Sequence, residues 1–492
     1  MLQMAQATNL QLNPEEGDVD EAFFSRGLTD GLPVMAPTRR RVERMLRGTS
    51  SGSLEVLGRC PPSYADVTVE KLAIAAVIAG CTPEMFRVVV AACRAILRPE
   101  FGLHGVHATT MGATPVVVVN GPCRHKAGIN FRHAPCGSGS RSTSIGRALK
   151  LLLQNVGRAK LAGTESTTIG TPMKFGMCFA EWEERCALWK PLAFDLGFAR
   201  RDEDAVTVVA ATSGPVQMVD VDSKAKELIQ RFGKMLASAT YAPQMPLVNN
   251  SLLVLCPEHY DTLVAAGFDS KAKVAEALWR ESSRHILPYF PFIIAVLGKT
   301  RAPYLPTFLW RLLGTLVAGA AFILRVFGYQ RLAMLVPKFS SPKSLQIVVA
   351  GSEAGKFSSF MPNFGVGKPP MPSAGMSSPT TELVEPRPAT LDRPEPALVL
   401  EKSEEILDPT SELSGTLLTS AKRCGHIAGP VALLDISKAR GLEILNVVER
   451  KLHAQGVETR RFTKPTFSRP CPEALCVEVA SECRGLVLGV AD

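Results

Sequence analysis

One run of glycines, hydroxyls and cations raises the question of chemistry: Cys136-Gly137-Ser138-Gly139-Ser140-Arg141-Ser142-Thr143-Ser144. Glycine lets a backbone approach a ligand, hydroxyls cap helices, and the first amides of a following helix point at whatever precedes it. With Arg141 and Arg147 beside it, the guest such a loop suits is an anion. Candidate ligand-binding residues are therefore Cys136, Gly137, Ser138, Gly139, Arg141, Ser142 and Thr143. The same residues also fit a plain helix cap in a basic surface loop, and Gly137-Ser138-Gly139 lacks the third glycine of a dinucleotide loop. A second loop, Gly351-Ser352-Glu353-Ala354-Gly355-Lys356-Phe357-Ser358, is not a Walker loop, which needs four residues between its glycines and a hydroxyl directly after the lysine. Lys356 is nevertheless a candidate anion contact.

Other groups carry weaker signals. His104 and His107 have metal-ligand spacing, but no third ligand stands at a suitable distance in sequence, and Gly102 and Gly105 argue against a helix there. Glu181-Trp182-Glu183-Glu184 and the hydroxyl-rich stretch from Thr164 to Phe175 could line the same cleft, although a solvated loop accounts for them as well.

The elements that would position these groups alternate between strand and helix. Val116-Val117-Val118-Val119, closed by Asn120-Gly121-Pro122, reads as a buried strand, and Ile145, Leu149, Leu152 and Leu153 mark the helix after the loop. Thr38 and Thr82-Pro83 are helix starts. Further strands are expected at Ala205 to Ala211, Leu252 to Cys256 and Ser344 to Ala350, with helices from Ser223 to Ala237 and from Ser270 to Glu281. This is an α/β pattern.

The whole chain has 492 residues, enough for two or three domains, and 55 Lys and Arg against 46 Asp and Glu give a mild net charge of +9. Aromatics are few and no nucleic-acid-binding motif occurs, so nucleic acid is not an expected partner. Twelve cysteines lie without a Cys-x-x-Cys pair, and Met1 opens no signal peptide, so reduced thiols and a cytoplasmic location are expected. The first 20 residues read as a polar, disordered tail, followed by a ligand-binding α/β domain over 21–365. Ile286 to Leu297 and Leu312 to Leu324 are each shorter than the ~20 residues that span a bilayer. Set among Lys299, Arg301, Arg311, Arg325, Arg331 and Lys338, the insertion 286–338 suits peripheral contact with an anionic membrane. Residues 366–400, dense in proline and serine, read as an interdomain linker.

Beyond that linker, the segments Val431 to Ile436, Glu458 to Phe462 and Gly485 to Val490 are strands separated by two helices, a parallel-sheet, Rossmann-like pattern. Here Asp408-Pro409-Thr410, Val431-Ala432-Leu433-Leu434-Asp435, Thr463-Lys464-Pro465-Thr466-Phe467-Ser468-Arg469-Pro470 and Leu486-Val487-Leu488-Gly489-Val490-Ala491-Asp492 resemble the UGSC (seleno)protein family. Asp30-Gly31-Leu32-Pro33, Leu103-His104-Gly105-Val106, Asn120-Gly121-Pro122, Gly128-Ile129-Asn130 and Thr143-Ser144-Ile145-Gly146-Arg147-Ala148 resemble its longer members. The resemblance implies a Gly-x-Asp followed directly by selenocysteine or cysteine, then Gly-Ser-Cys. On that pattern Asp492 stands immediately before the nucleophile, the expected next codon is an in-frame UGA, and a chain ending at Asp492 is inactive. No other cofactor is expected.

The implied catalytic residues are Asp492, orienting the nucleophile, with Ser468 and Arg469 in the loop beside it. Cys471 fits either a resolving thiol or a packing residue. The function expected is a thiol- or selenol-dependent oxidoreductase or lyase acting on a small anionic molecule, with a thiol reductant as partner. The alternative is a non-catalytic, membrane-associated binding protein.

Overall fold

The computed structural model describes residues 19–137, 139–161, 163–165, 167–198, 200, 203–221, 224–239, 250–285, 306–326, 335–336, 338–363, 377–393, 429–435, 441–464 and 471–489. It divides into two units, Met1–Pro394 and Glu395–Asp492.

In the first unit, α1 (Val19–Ser25) and α2 (Arg39–Leu46) precede an antiparallel pair, β1 (Val56–Cys60) and β2 (Ala65–Thr68). Next come α3 (Val69–Ala79), α4 (Pro83–Leu97), α5 (Leu103–Ala108), β3 (Thr114–Asn120), α6 (Cys123–Lys126), α7 (Thr143–Asn155), β4 (Met177–Ala180), α8 (Leu192–Asp195), β5 (Ala205–Ala211) and β6 (Val216–Val219). The chain continues through α9 (Ala225–Ala239), β7 (Ser251–Leu255), α10 (Pro257–Ala265), α11 (Lys271–Glu281), β8 (Arg284–His285), α12 (Thr307–Val326), β9 (Leu335–Val336), β10 (Leu345–Val349), β11 (Phe357–Pro362) and β12 (Thr380–Leu383).

Local chemistry explains the boundaries. Thr38 and Thr68 accept hydrogen bonds from the amides of Arg41 and Lys71, and Gly80, at φ 85°, closes α3 in the left-handed conformation. Pro83 starts α4, where a missing amide costs nothing. Contrary to the expectation drawn from Gly102 and Gly105, Leu103–Ala108 is a short helix: Gly102, at φ 63°, is the turn that precedes it.

Two four-stranded mixed sheets form, in the orders β4-β3-β5-β12 and β10-β7-β11-β6. In each, the first two strands run parallel and the next two alternate in direction. The sheets stack face to face. Along β3, Val116 and Val118 enter the core between the sheets while Val117 and Val119 face the helices, and in β7 Leu252 and Val254 face inward while Leu253 and Leu255 face outward. Burial on both faces is why these strands are continuous apolar runs. Helices α3, α4 and α7 cover one outer face, and α9 and α11 cover the other.

The two sheets share one topology. Helix, strand, helix, parallel strand, antiparallel strand and final strand occur as α4-β3-α7-β4-β5-β6 and again as α9-β7-α11-β10-β11-β12. Each run gives its last strand to the other run's sheet: β6 pairs with β11, and β12 with β5. The two crossing points touch, with Ala211 bridging Asn363 and the Thr212 amide donating to the Pro362 carbonyl at 2.8 Å.

This exchange overturns the expected linker in part. Proline and serine counts hid the β-forming Thr380-Thr381-Glu382-Leu383, which sits on a sheet edge where flanking prolines are tolerated. Beyond β12, Glu385 accepts hydrogen bonds from Thr49 and Ser50, and Arg387 pairs with Glu84.

The insertion contributes α12. Among the described residues no helix is long and apolar enough to cross a membrane. Residues 286–305, 327–334 and 337, which complete the expected basic apolar insertion, lie outside the described set, as do residues 1–18 of the expected tail.

In the second unit, β13 (Val431–Asp435), α13 (Gly441–His453), β14 (Thr459–Thr463), α14 (Glu473–Glu482) and β15 (Gly485–Gly489) form a parallel sheet in the order β14-β13-β15. Ala432, Leu434, Phe462, Val479 and Cys483 make its small core, while Leu486 and Leu488 on β15 are about half exposed.

Candidate functional site

In the first unit the carboxyl ends of four parallel strands meet at one edge. The Trp182 amide, beyond β4, donates to the Val349 carbonyl at the end of β10 at 2.8 Å, and the Gly351 amide donates to the Phe131 carbonyl at 3.0 Å. Loops at such an edge are where α/β sheets place ligands.

On the β3-β4 side lies a buried charged network. Asn120, the last residue of β3, and Glu181, the first residue after β4, are 2 % and 0 % exposed. Asn120 Nδ2 donates to Glu181 Oε2 at 2.9 Å and to Glu183 Oε1 at 3.1 Å, while the Ala193 amide donates to Asn120 Oδ1 at 3.2 Å. Glu181 also accepts from the Leu192 amide at 2.8 Å and from Lys271 Nζ at 2.5 Å. Lys271 opens α11, is itself buried, and has Asp195 at 4.0 Å. Burial raises the pKa values of Glu183 and Asp195, and the Lys271 charge only partly opposes that rise at Asp195. Glu183 takes the Gly121 amide at 2.7 Å. Gly121, at φ 89°, cannot be replaced here, because a Cβ would run into the Glu203 carbonyl.

Arg124, also buried, lies 3.5 Å from Glu183 and donates to Glu184. Burial would raise the Glu184 pKa, but hydrogen bonds from Arg124 and His125 outweigh it and bring the carboxyl down to about 2. Arg132 stacks 4.7 Å above the Trp182 ring. The segment Glu181-Trp182-Glu183-Glu184 is therefore no solvated loop: Glu181 and Trp182 are fully or nearly fully buried.

On the β7-β10 side the fully buried pair is a histidine and a serine, with the charged Glu258 and Lys356 nearer the surface. His259, fully buried, donates from Nε2 to the Asp220 carbonyl at 2.9 Å, since a carbonyl only accepts. Its Nδ1 therefore accepts from the Ser358 hydroxyl at 2.7 Å, and Ser358 Oγ accepts the Cys256 amide at 3.1 Å.

The residues expected to bind an anion have mixed surroundings. Ser142 is buried beneath α7 but does not cap it, bonding Ser140 at 2.9 Å instead. Thr143 begins the helix, and Gly137 and Gly139 lie in the loop, Gly139 at φ 95°. Cys136 packs on the core between the sheets, and burial pushes its thiol up to about 12. Arg141 is exposed and has no ion pair among the described residues. Arg147 is not available to a ligand, because Asp30 holds it with two bonds of 2.8 Å. Lys356 donates to the Val221 carbonyl at 3.2 Å, and the neighbouring Gly355 amide is taken by Glu258 at 2.8 Å. Among the described residues no group of three His, Cys, Asp or Glu side chains could hold a metal ion, His104 and His107 included.

Sequence reading passed over Asn120, Asp195 and Lys271 as site residues. Asn120 closing an apolar strand was the available signal. Lys271 carried none, since a lysine in the first turn of a helix reads as solvated.

In the second unit, β14 and β13 end together, and the Lys464 amide donates to the Asp435 carbonyl at 2.8 Å. Cys471 lies half-buried just before α14, and burial and the adjacent Cys476 thiol raise its pKa. Cys476 is exposed. Residues 405–492 match the model of the UGSC family. This places the UGSC match on the all-parallel sheet and not on the stacked mixed sheets. Ser138, Ser468, Arg469 and Asp492, all named from the sequence, lie outside the described residues. No curated protein and no solved structure matches the chain.

Proposed function

We propose that the protein is a two-unit enzyme in which the UGSC domain supplies a thiol or selenol that acts as nucleophile or redox centre, and the first unit holds a small anionic substrate. The UGSC match on a parallel sheet carries this reading, because the carboxyl edge of such a sheet is where a chalcogenolate is stabilised and reached. The exposed, unpaired guanidinium of Arg141 supports the anion. Ser468, Arg469 and Asp492 are proposed to line the reactive edge.

Native protein, reduced and treated with iodoacetamide at pH 6, tests the chalcogen by mass spectrometry. The expected result is selenium, or one rapidly alkylated cysteine, within the UGSC domain. A domain with neither overturns the reading. Inorganic phosphate tests the anion site: Arg141→Ala is expected to weaken it at least tenfold with an unchanged melting temperature, and equal affinity removes Arg141.

One observation favours a second, non-catalytic reading. Helix α12 exposes Phe308, Leu309, Leu312, Leu313, Leu316 and Ile323, and Arg311 lies on it. Such a helix suits the surface of an anionic bilayer. Sedimentation with vesicles containing one-third phosphatidylserine is expected to carry the protein down, and Leu312→Glu with Leu316→Glu to release it; a protein that stays in the supernatant overturns membrane contact.

A further inference from the structure

The described cysteines divide by depth. Eight are buried, Cys136 and Cys471 are half-buried, and Cys476 alone among them is exposed. Burial keeps a thiol protonated and shields it from reagents. Cys136 packs on the core between the sheets of the first unit, where its thiol is pushed up to about 12. That leaves Cys471 and Cys476, both in the second unit.

The start of α14 brings these two together. Pro472 caps the helix, so Cys471 is the residue before the cap and Cys476 is the fourth of the helix, its amide donating to the Pro472 carbonyl at 3.0 Å. Side chains at those two positions fold over the first turn and meet, an arrangement that apolar pairs use as a staple. Here both are thiols, and the Cys476 thiol interacts directly with that of Cys471. Cys471 also packs on the small core that includes Val479 and Cys483, while Cys476 is open to solvent. Four residues separate the pair, a spacing that says nothing by itself; the cap supplies the proximity. The helix after a parallel strand begins at the carboxyl end of the sheet, and the charge of Lys464, the first residue past β14, acts on Cys471.

We propose that Cys471 and Cys476 are a redox-active dithiol that reduces small disulfides and is closed to a disulfide in doing so. Cys476, the exposed thiol, gives its proton to solvent and attacks one sulfur of the small disulfide, whose S–S bond breaks as the first small thiolate leaves. Cys471 then gives up its proton and attacks the Cys476 sulfur of the mixed disulfide, expelling the second thiolate. The two thiolates take up the two protons. Two cysteines are thus oxidised by two electrons, and one small disulfide becomes two small thiols. The second step is intramolecular, so closure outruns attack by another small thiol. The pair does not depend on the UGSC domain carrying a further nucleophile: the test reads one named bond, and its failure leaves that reading untouched.

The full chain is reduced, freed of reductant and equilibrated with equal concentrations of reduced and oxidised glutathione. It is then quenched with acid, alkylated with N-ethylmaleimide in mildly acidic urea, and digested with a protease that cleaves after glutamate. Cleavage after Glu473 separates the two cysteines, and cleavage after Glu478 separates Cys476 from Cys483. The Cys471 and Cys476 peptides are expected to stay joined and to come apart with dithiothreitol, while Cys483 carries maleimide. Cys471→Ser is expected to halt the exchange at the mixed disulfide, with glutathione held on Cys476. Cys476→Ser is expected to slow glutathione uptake by Cys471 about tenfold or more, because the remaining thiol is half-buried. Wild-type peptides recovered separately, either peptide joined instead to Cys483 or to a second chain, or a Cys471→Ser protein without glutathione on Cys476 would each overturn the proposal.

Discussion

The two halves of the first unit share a strand and helix plan but bury different groups at the same edge. After β3 and β4 stand Asn120, Arg124, Glu181, Glu183 and Glu184, joined across to Lys271 from the second half. Near the ends of β7 and β10 stand His259, on α10, and Ser358, on β11, bonded as neutral groups. Asn120, Arg124 and Glu181 are as deeply buried as His259 and Ser358, so the difference lies in how each set compensates lost hydration. Charges are held by partners in the first half, and by a tautomer and a hydroxyl in the second. One plan thus tolerates two chemistries.

That contrast can be broken most forcefully at Glu181. Glu181→Ala leaves Lys271 as a buried cation without its nearest carboxylate, and urea unfolding is expected to show a loss of about 3–5 kcal/mol. Adding Lys271→Met should recover much of it. A loss no larger than a surface substitution would mean the edge is not electrostatically held.

A pH measurement gives the next effect. His107, below β3, has Nε2 without a partner, and burial lowers its pKa to about 4. As pH falls through about 6.5, the unfolded chain takes up a proton that the folded imidazole refuses until about pH 4. Its contribution is therefore complete above 6.5 and is lost on acidification across that window. Between pH 7 and 4.5 wild type should lose roughly 2–3 kcal/mol more than His107→Leu in urea. Equal losses in the two proteins would remove His107 as the cause.

The neutral edge should respond least. Ser358→Ala strands His259 Nδ1 and the Cys256 amide, for an expected cost of about 1–3 kcal/mol by thermal unfolding. A cost matching that of Glu181→Ala would erase the distinction between the halves.

Much of the element pattern was legible from side chains alone. The Val116 to Val119 run, the caps at Thr38 and Pro83 and the alternation after Val431 all became the expected elements, because period and capping are local properties. The site was less legible. Arg147 looked like an anion contact until Asp30, far away in sequence, was seen to hold it. Glu181 looked solvated for want of any local sign of Lys271. The strand at Thr380 was obscured by the prolines around it.

Composition and short-range pattern by themselves determined that this chain is α/β and where most strands begin and end; the motifs of its last segment resemble those of the UGSC family. Tertiary structure decided the stacking of two mixed sheets, the exchange of their last strands, and which charges are buried together. The reason is physical: hydrogen-bond period and capping act within a few residues, whereas the partner of a buried charge is set by which elements the fold brings to the same edge.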